Sequence, residues 1–411
     1  MPGAPDSTPD QGWDPALGKG LGQGLEKVPE QAHDWDPRSP EVLADQVRAY
    51  DRMRARCPVA RDDFLGWTVF SHADVRRVVT DHETFSNVVS ARVSVPNGMD
   101  PPEHTPHRRV NERYFTPERM AALEPTCRRI AAELVAALPD GPVEVMAALA
   151  QPYALRMQTA FMGWPESLHE PLRAWTARNH AATLARDPEA LAAVAVEFDG
   201  YIRAQLDERR QTGADAPDDV TTALLRERVD GRPLTDEEIV SVVRNWTVGE
   251  LGTIAASVGI LVHALAADAG LQDRLRREPA LLPAAADEVL RVHPPLIANR
   301  RVTTRPVTLG ARDIGAGERV TVLWASANRD EAVFGDPDEV RLDRDPADNL
   351  LYGAGIHVCP GAPLARLEMR VLLEELLAGV AALRPGTGDA PAFAAYPAGG
   401  FTSVPVEVVR V

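Results

Sequence analysis

Tyr352-Gly353-Ala354-Gly355-Ile356-His357-Val358-Cys359-Pro360-Gly361 sets one cysteine behind a glycine-rich turn. A helical pattern follows at once, Ala362-Pro363-Leu364-Ala365-Arg366-Leu367-Glu368. The N–H groups of such a turn and the positive end of the following helix both favour a charged sulfur, so the setting suits a thiolate. Thiolates ligate soft and borderline metals. A buried structural cysteine after a glycine loop is the competing reading, and the rest of the chain has to decide between them.

The chain has 411 residues, 45% hydrophobic and 25% charged, the composition of an ordinary globular protein. Length alone allows two or three domains, and one large core enclosing a cofactor also fits. Acidic residues outnumber basic ones, 60 to 44, for a formal charge of −16, which argues against nucleic acid or an anionic membrane surface as partner. No wholly apolar run approaches membrane-spanning length, and the opening Met1-Pro2-Gly3-Ala4-Pro5-Asp6 lacks the features of a signal peptide. A cytoplasmic protein is expected. Cys57, Cys127 and Cys359 are far apart, with no metal or disulfide spacing. Cys127 falls on the apolar stripe Met120, Leu123, Cys127, Ile130, Leu134, Leu138 of a helix, and Cys57 sits before Pro58 at a helix end. Only Cys359 has a setting that suggests chemistry.

Residues 1–38 read as a loosely ordered arm and 39–411 as a single domain. Ser39-Pro40 opens a helix to about Arg56, and Gly66–Phe70 is a strand. Ser71 with Asp74 caps a helix over 73–79. Helical periodicity dominates from Thr116-Pro117 for most of 170 residues, and Glu189 to Gln211 is one long helix. Thr235 with Glu238 caps another, running to about Ala266. Its middle holds Gly249 and Gly252, each costing about 1 kcal/mol against alanine in a helix, so a kink or a close approach is expected there. A helix over 281–292, strands near 301–303 and 319–323, a polar meander over 327–350 and a helix from Ala362 to about Leu383 complete the pattern. The fold class is mainly α (α+β), with β-rich parts near 59–71, 297–325 and 384–411.

With these residues collected, the sequence resembles the cytochrome P450 family in its soluble bacterial form, over about residues 39–411. The cysteine loop matches F-G-x-G-x-H-x-C-x-G except at Tyr352. Glu288 and Arg291 supply E-x-x-R, and Ala327-Asn328-Arg329-Asp330 and His104 with Arg108 match two further motifs in the family's order. The resemblance implies a large helical domain with a small β-rich lobe around a buried haem b. Cys359 would be the iron's thiolate ligand. Gly249, Gly353 and Gly361 would lie against the porphyrin, with Tyr352 beside them. His104, Arg108, Arg301 and His357 would partner the haem propionates, which need donors when enclosed. Glu288 and Arg291 would form a structural ion pair completed by Arg329.

The long helix departs from the family pattern, which places an acid directly before the threonine. Here Thr253 follows Gly252, and Glu250 stands three positions earlier, so α-helical geometry puts Glu250 and Thr253 on one face. Thr253, Glu250 and Gly252 are therefore the catalytic candidates. Glu250 is open to three readings: a relocated proton donor, a contact for a polar substrate group, or the mark of an impaired relay that turns the enzyme toward peroxide. Tyr352 either packs or hydrogen-bonds the sulfur. Val93, Val95, Val248, Ile297, Ala298 and Phe401 would give a mainly aliphatic substrate pocket. The implied activity is monooxygenation of a small, largely apolar or aromatic organic substrate by O2, of hydroxylation or O-dealkylation type. Electrons would come from NAD(P)H through a reductase and a ferredoxin or flavodoxin-like donor. That donor would dock on a basic patch of Arg109, Arg113, Arg366 and Arg370 of a monomeric protein. A peroxide-driven or atypical oxidation by the same haem site, and a non-catalytic haem-binding protein, are the alternatives.

Overall fold

The structure, a computed structural model, describes residues 34–411 apart from 186, 395 and 397, and the expected arm lies outside it up to residue 33. The described residues form two compact units. One comprises residues 90–110 and 158–247, the other 34–89, 111–157 and 248–411.

The second unit carries the cysteine loop. Its five-stranded sheet has the order Val59–Asp62, Gly66–Val69, Arg319–Leu323, Ala298–Thr303, Phe85–Ser86. Val59 pairs opposite Val69 in an antiparallel hairpin, and Val320 lies opposite Trp67 in the one parallel pairing of this sheet. Ser71 Oγ accepts from Asp74 N at 3.2 Å and donates to the Asp74 carboxylate at 2.7 Å, the expected cap of helix His72–Thr80. That helix lays Val75, Val78 and Val79 on Trp67, Val69, Val320 and Val322. Burying each such side chain stabilises by about 1.5–3 kcal/mol. Val380–Pro385, Pro405–Arg410 and Gly141–Glu144 form a second sheet.

Three boundaries differ from the sequence reading. The opening helix breaks into Pro40–Ala44 and Gln46–Arg56, because the Asp45 carboxylate leaves the first helix to cap the second, accepting from Arg48 N at 3.1 Å. The helix after Cys359 ends at Gly379, where a Cβ would come within 2.6 Å of Val135 Cγ1, and the residues beyond it join the second sheet. The long helix is interrupted: Asp236–Val248, then a π-helical turn over Gly249–Ile254, then Ala255–Ala267. Taken whole, Asp236–Ala267 is long and apolar enough to cross a membrane, against the sequence expectation, and 61% of its most apolar window is buried in the protein. A core helix of this length meets the same test.

The first unit is helical apart from the short hairpin Arg228–Val229 with Arg232–Pro233. Its centre is Trp175 stacked on Phe198 at 4.4 Å, with Trp175 Nε1 donating to Val194 O at 2.7 Å. Thr235 and Glu238 cap helix Asp236–Val248 reciprocally, as expected: Glu238 N donates to Thr235 Oγ1 at 3.2 Å and Thr235 N to Glu238 Oε2 at 2.8 Å.

Candidate active site

The cysteine loop is held by its own backbone. Cys359 N donates to Tyr352 O at 2.8 Å and Gly353 N to Leu350 O at 2.9 Å, while Cys359 itself is exposed. Gly355 has φ +74, and a Cβ there would come 2.4 Å from Val79 O, so no other residue fits. Gly361 caps the helix Ala362–Gly379, and a Cβ on it would lie 3.9 Å from Cys359 Sγ and 3.7 Å from the Phe115 ring. The thiol thus sits between a turn and a helix N-terminus, the arrangement that favours thiolate.

Tyr352 directs its hydroxyl to Asp287 Oδ1 at 3.4 Å, and Arg366 stacks on its ring at 4.5 Å while also bonding Asp287 at 2.9 Å. The phenol's single proton is directed at this carboxylate, and burial together with the Asp287 charge pushes its pKa up. The alternative of a hydrogen bond from Tyr352 to the sulfur is therefore corrected in favour of packing.

Beneath the loop, Glu288 receives Arg291 at 2.8 and 2.9 Å, Arg344 Nε at 2.9 Å and Arg341 N at 3.0 Å. Arg291 goes on to Asn328 O at 2.6 Å and Pro337 O at 3.1 Å, and Asn328 Oδ1 accepts from Leu350 N at 2.8 Å. The pair is buried and structural as expected, but Arg344, not Arg329, completes it. Arg329 bonds Asp51 at 2.9 Å and Asp338 instead. Its side chain leaves the meander toward helix Gln46–Arg56, whose Asp51 faces it. Arg344 lies in a polar segment without periodicity, so no sequence pattern pointed to it.

On the other side of the unit, the π turn changes where side chains point. A π turn closes i→i+5 hydrogen bonds and is wider than an α turn, so residues three apart no longer share a face. Val248 and Gly252 are exposed and Thr253 is half-buried, whereas Glu250 is buried. Thr253 Oγ1 donates to Gly249 O at 2.5 Å. Glu250 turns away from that face to the carboxyl of Glu368, which is fully buried on the helix after Cys359. Burial raises the Glu250 pKa from 4.5 to about 8, and burial plus the neighbouring Glu250 charge raises that of Glu368 well above its ordinary value. The expectation that Glu250 points with Thr253 is thus corrected. A Cβ at Gly249 or Gly252 would meet no described atom within 4 Å, so the room left by both glycines is a cradle open on the exposed side of the turn. Glu368 escaped the sequence reading although it offered a signal: an acid set among Leu364, Leu367, Val371 and Leu372 on the apolar stripe.

The remaining candidates divide between the units. In the first, His104 and Arg108 are buried on helix His104–Glu112, Val93 is exposed, and Val95 is buried with its N–H on Ser241 Oγ at 2.8 Å. In the second, Arg301 is buried and gives Nη1 to Arg300 O at 2.7 Å, His357 is half-buried, and Ala298 opens a strand. Ile297 packs with Val42, Tyr50, Phe70 and Leu323 in a core cluster. Phe401 is buried too, stacked on Phe393 at 5.0 Å and beside His263 at 4.6 Å. The basic residues after Cys359 each come with an acid: Arg366 with Asp287, Arg370 with Glu124 at 2.7 Å and Glu374 at 3.0 Å.

Comparison with known proteins bears on this site. The family description "Cytochrome P450" matches residues 167–379. The chain is 33% identical to an erythromycin C-12 hydroxylase of Saccharopolyspora erythraea, over 82% of this chain and 88% of the relative. It is 32% identical to the cyclomarin C epoxidase CymV of Salinispora arenicola, over 79% of this chain and 86% of that one. A solved structure of a mutant P450 EryK with erythromycin B superposes with a TM-score of 0.81 at 31% identity, covering 89% of this chain and 96% of that one. The chain belongs to the cytochrome P450 family. It is a haem-thiolate monooxygenase, with haem b held by a cysteine thiolate, and it consumes O2, an organic substrate and electrons from a redox partner.

Proposed function

We propose that the protein is a cytoplasmic, monomeric monooxygenase that inserts one oxygen atom into a small, largely apolar or aromatic molecule by hydroxylation or O-dealkylation. Electrons reach it from NAD(P)H through a ferredoxin or flavodoxin-like protein and its reductase. The observation that carries this is the Cys359 thiol, exposed between a left-handed glycine turn and the N-terminus of helix Ala362–Gly379. The haem supplies oxygen activation at its iron. Within the second unit Cys359 would ligate it, Gly353 and Gly361 would leave room for it, and Arg301 and His357 would hold its propionates, the role the family resemblance also gives to His104 and Arg108. The donors of the second unit fit the group: one thiolate for the iron, and a buried guanidinium and an imidazole for the carboxylates.

Thr253 faces the reacting side, and with its proton given to Gly249 O its lone pairs remain to hold a water. Val248, exposed one residue before the π turn, is an apolar wall for substrate. Hydroxylation and epoxidation are the reactions named for the relatives. Screening apolar and aromatic compounds, with erythromycin B as the large comparator, tests the substrate reading. Low-to-high-spin shifts for small apolar compounds are expected, and a shift confined to erythromycin B overturns the size class.

A second reading, oxidation driven by peroxide, rests on Gly252 in the position of the acid and on Glu250 turned to Glu368. Product formed faster with hydrogen peroxide than with a ferredoxin, its reductase and NAD(P)H favours it; the reverse favours the first.

A further inference from the structure

The buried carboxyl groups of Glu250 and Glu368 are the least satisfied groups in the described structure. No N–H or O–H donor reaches either oxygen of Glu368 or Oε1 of Glu250. Glu250 and Glu368 are neighbours in the interior, and two like charges placed so do not ionise together. The groups around them offer no counter-charge. Tyr153 of helix Gln151–Met162 and Cys127 of helix Pro117–Ala137 are both held neutral, their pKa values raised chiefly by burial. Arg128, next to Cys127, is bound to Glu124, Glu374 and Glu375, and Arg291 on helix Leu282–Val292 is bound to Glu288. Among the described residues, each carboxyl has the other as its neighbour, and one proton can serve both.

Glu368 is the fixed member. Tyr153 donates its hydroxyl to the Glu368 backbone carbonyl at 2.8 Å, and Cys127 Sγ lies 3.1 Å from that hydroxyl. Glu250 is the member on the irregular turn. Its N–H shares a peptide plane with the Gly249 carbonyl, and that carbonyl accepts the Thr253 hydroxyl. Holding the Glu250 carboxyl restrains the turn that carries the Gly249 carbonyl, and so biases the direction of Thr253 Oγ1.

We propose that Glu368 is a positioning residue for Thr253: by sharing a proton with Glu250, it ties the π turn to the helix that starts at the cysteine loop, and the tie loosens when the pair ionises. The inference rests on the reading that Thr253 faces the reacting side. It assigns Glu250 a holding role in place of the three roles open to it in the sequence.

The test uses the haem-loaded enzyme and the variants Glu368→Gln, Glu368→Leu and Glu250→Gln, with two readouts that need no turnover. Infrared spectra in H2O and D2O at neutral pH should show protonated-carboxyl C=O absorption in the wild type, diminished in each Gln variant. Hydrogen exchange of the peptide spanning 249–254, corrected for intrinsic rates, should accelerate as pH rises through the titration of the pair in the wild type. It should be pH-independent in Glu368→Gln, whose amide still donates to Glu250. In Glu368→Leu it should be faster at all pH by about fivefold, the factor one hydrogen bond contributes. Absence of protonated-carboxyl absorption overturns the proposal, as does wild-type exchange in Glu368→Leu. If that variant does not fold, Glu250→Gln with unchanged infrared absorption overturns it alone. Should Thr253→Ala leave electron use fully coupled to product, the reacting-side reading fails while the infrared result stands.

Discussion

At Gly355 one methyl group separates a folded cysteine loop from a disrupted one. The residue combines φ +74 with 2.4 Å of space to Val79 O, so Gly355→Ala carries about 1–2 kcal/mol of left-handed strain plus a backbone collision. Haem content and Tm should both fall in that variant. Gly252→Ala, in open space with helical backbone, should leave the unfolding free energy unchanged or raise it by up to about 1 kcal/mol, read by denaturant unfolding. Glu288 is the matching electrostatic case. Four donors converge on it in the interior, so Glu288→Ala strands Arg291 and should destabilise by about 3–5 kcal/mol. Arg344→Ala should weaken the meander more than Arg329→Ala does, measured as haem retention during urea titration, since only Arg344 touches Glu288.

Among elements, the π turn Gly249–Ile254 is where sequence and structure part. The two glycines announced an irregularity, and a helix with caps at Thr235 and Glu238 was legible. What local spacing does not encode is that the irregularity is a widened turn, because the group that holds it, Glu368, lies 118 positions later in the chain. The cysteine loop was legible for the opposite reason: its glycines, cysteine and cap are contiguous. The pair gives the turn a pH signature. Both carboxyls have pKa values raised above 4.5 by burial, so the folded state retains protons that the unfolded chain releases. Their contribution to stability therefore falls as pH rises from about 5 to about 8. Glu250→Gln removes that penalty, and its Tm relative to wild type should climb across this window. A Tm difference that does not change with pH would contradict the raised values.

For the whole molecule, the charge of −16 and the pairing of Arg366 and Arg370 with Asp287, Glu124 and Glu374 leave the face after Cys359 with little net positive charge. Reduction by a ferredoxin should then slow only by a few-fold at about 1 M salt, where the Debye length is about 3 Å. A much steeper loss, followed by stopped-flow reduction, would indicate a basic docking patch that these ion pairs do not predict. The fold itself was legible from four separated motifs. Its division into two units was not, because the segments that build each one alternate along the chain.

The central claim is that Cys359 is the sulfur on the haem iron, and the carbon monoxide difference spectrum of the reduced protein tests it most directly. The wild type, Cys57→Ser and Cys127→Ser should all give the red-shifted Soret band of thiolate ligation, and Cys359→His should give the shorter-wavelength band of a haem without it. Retention of the red-shifted band in Cys359→His, or its loss in Cys127→Ser alone, would contradict the account.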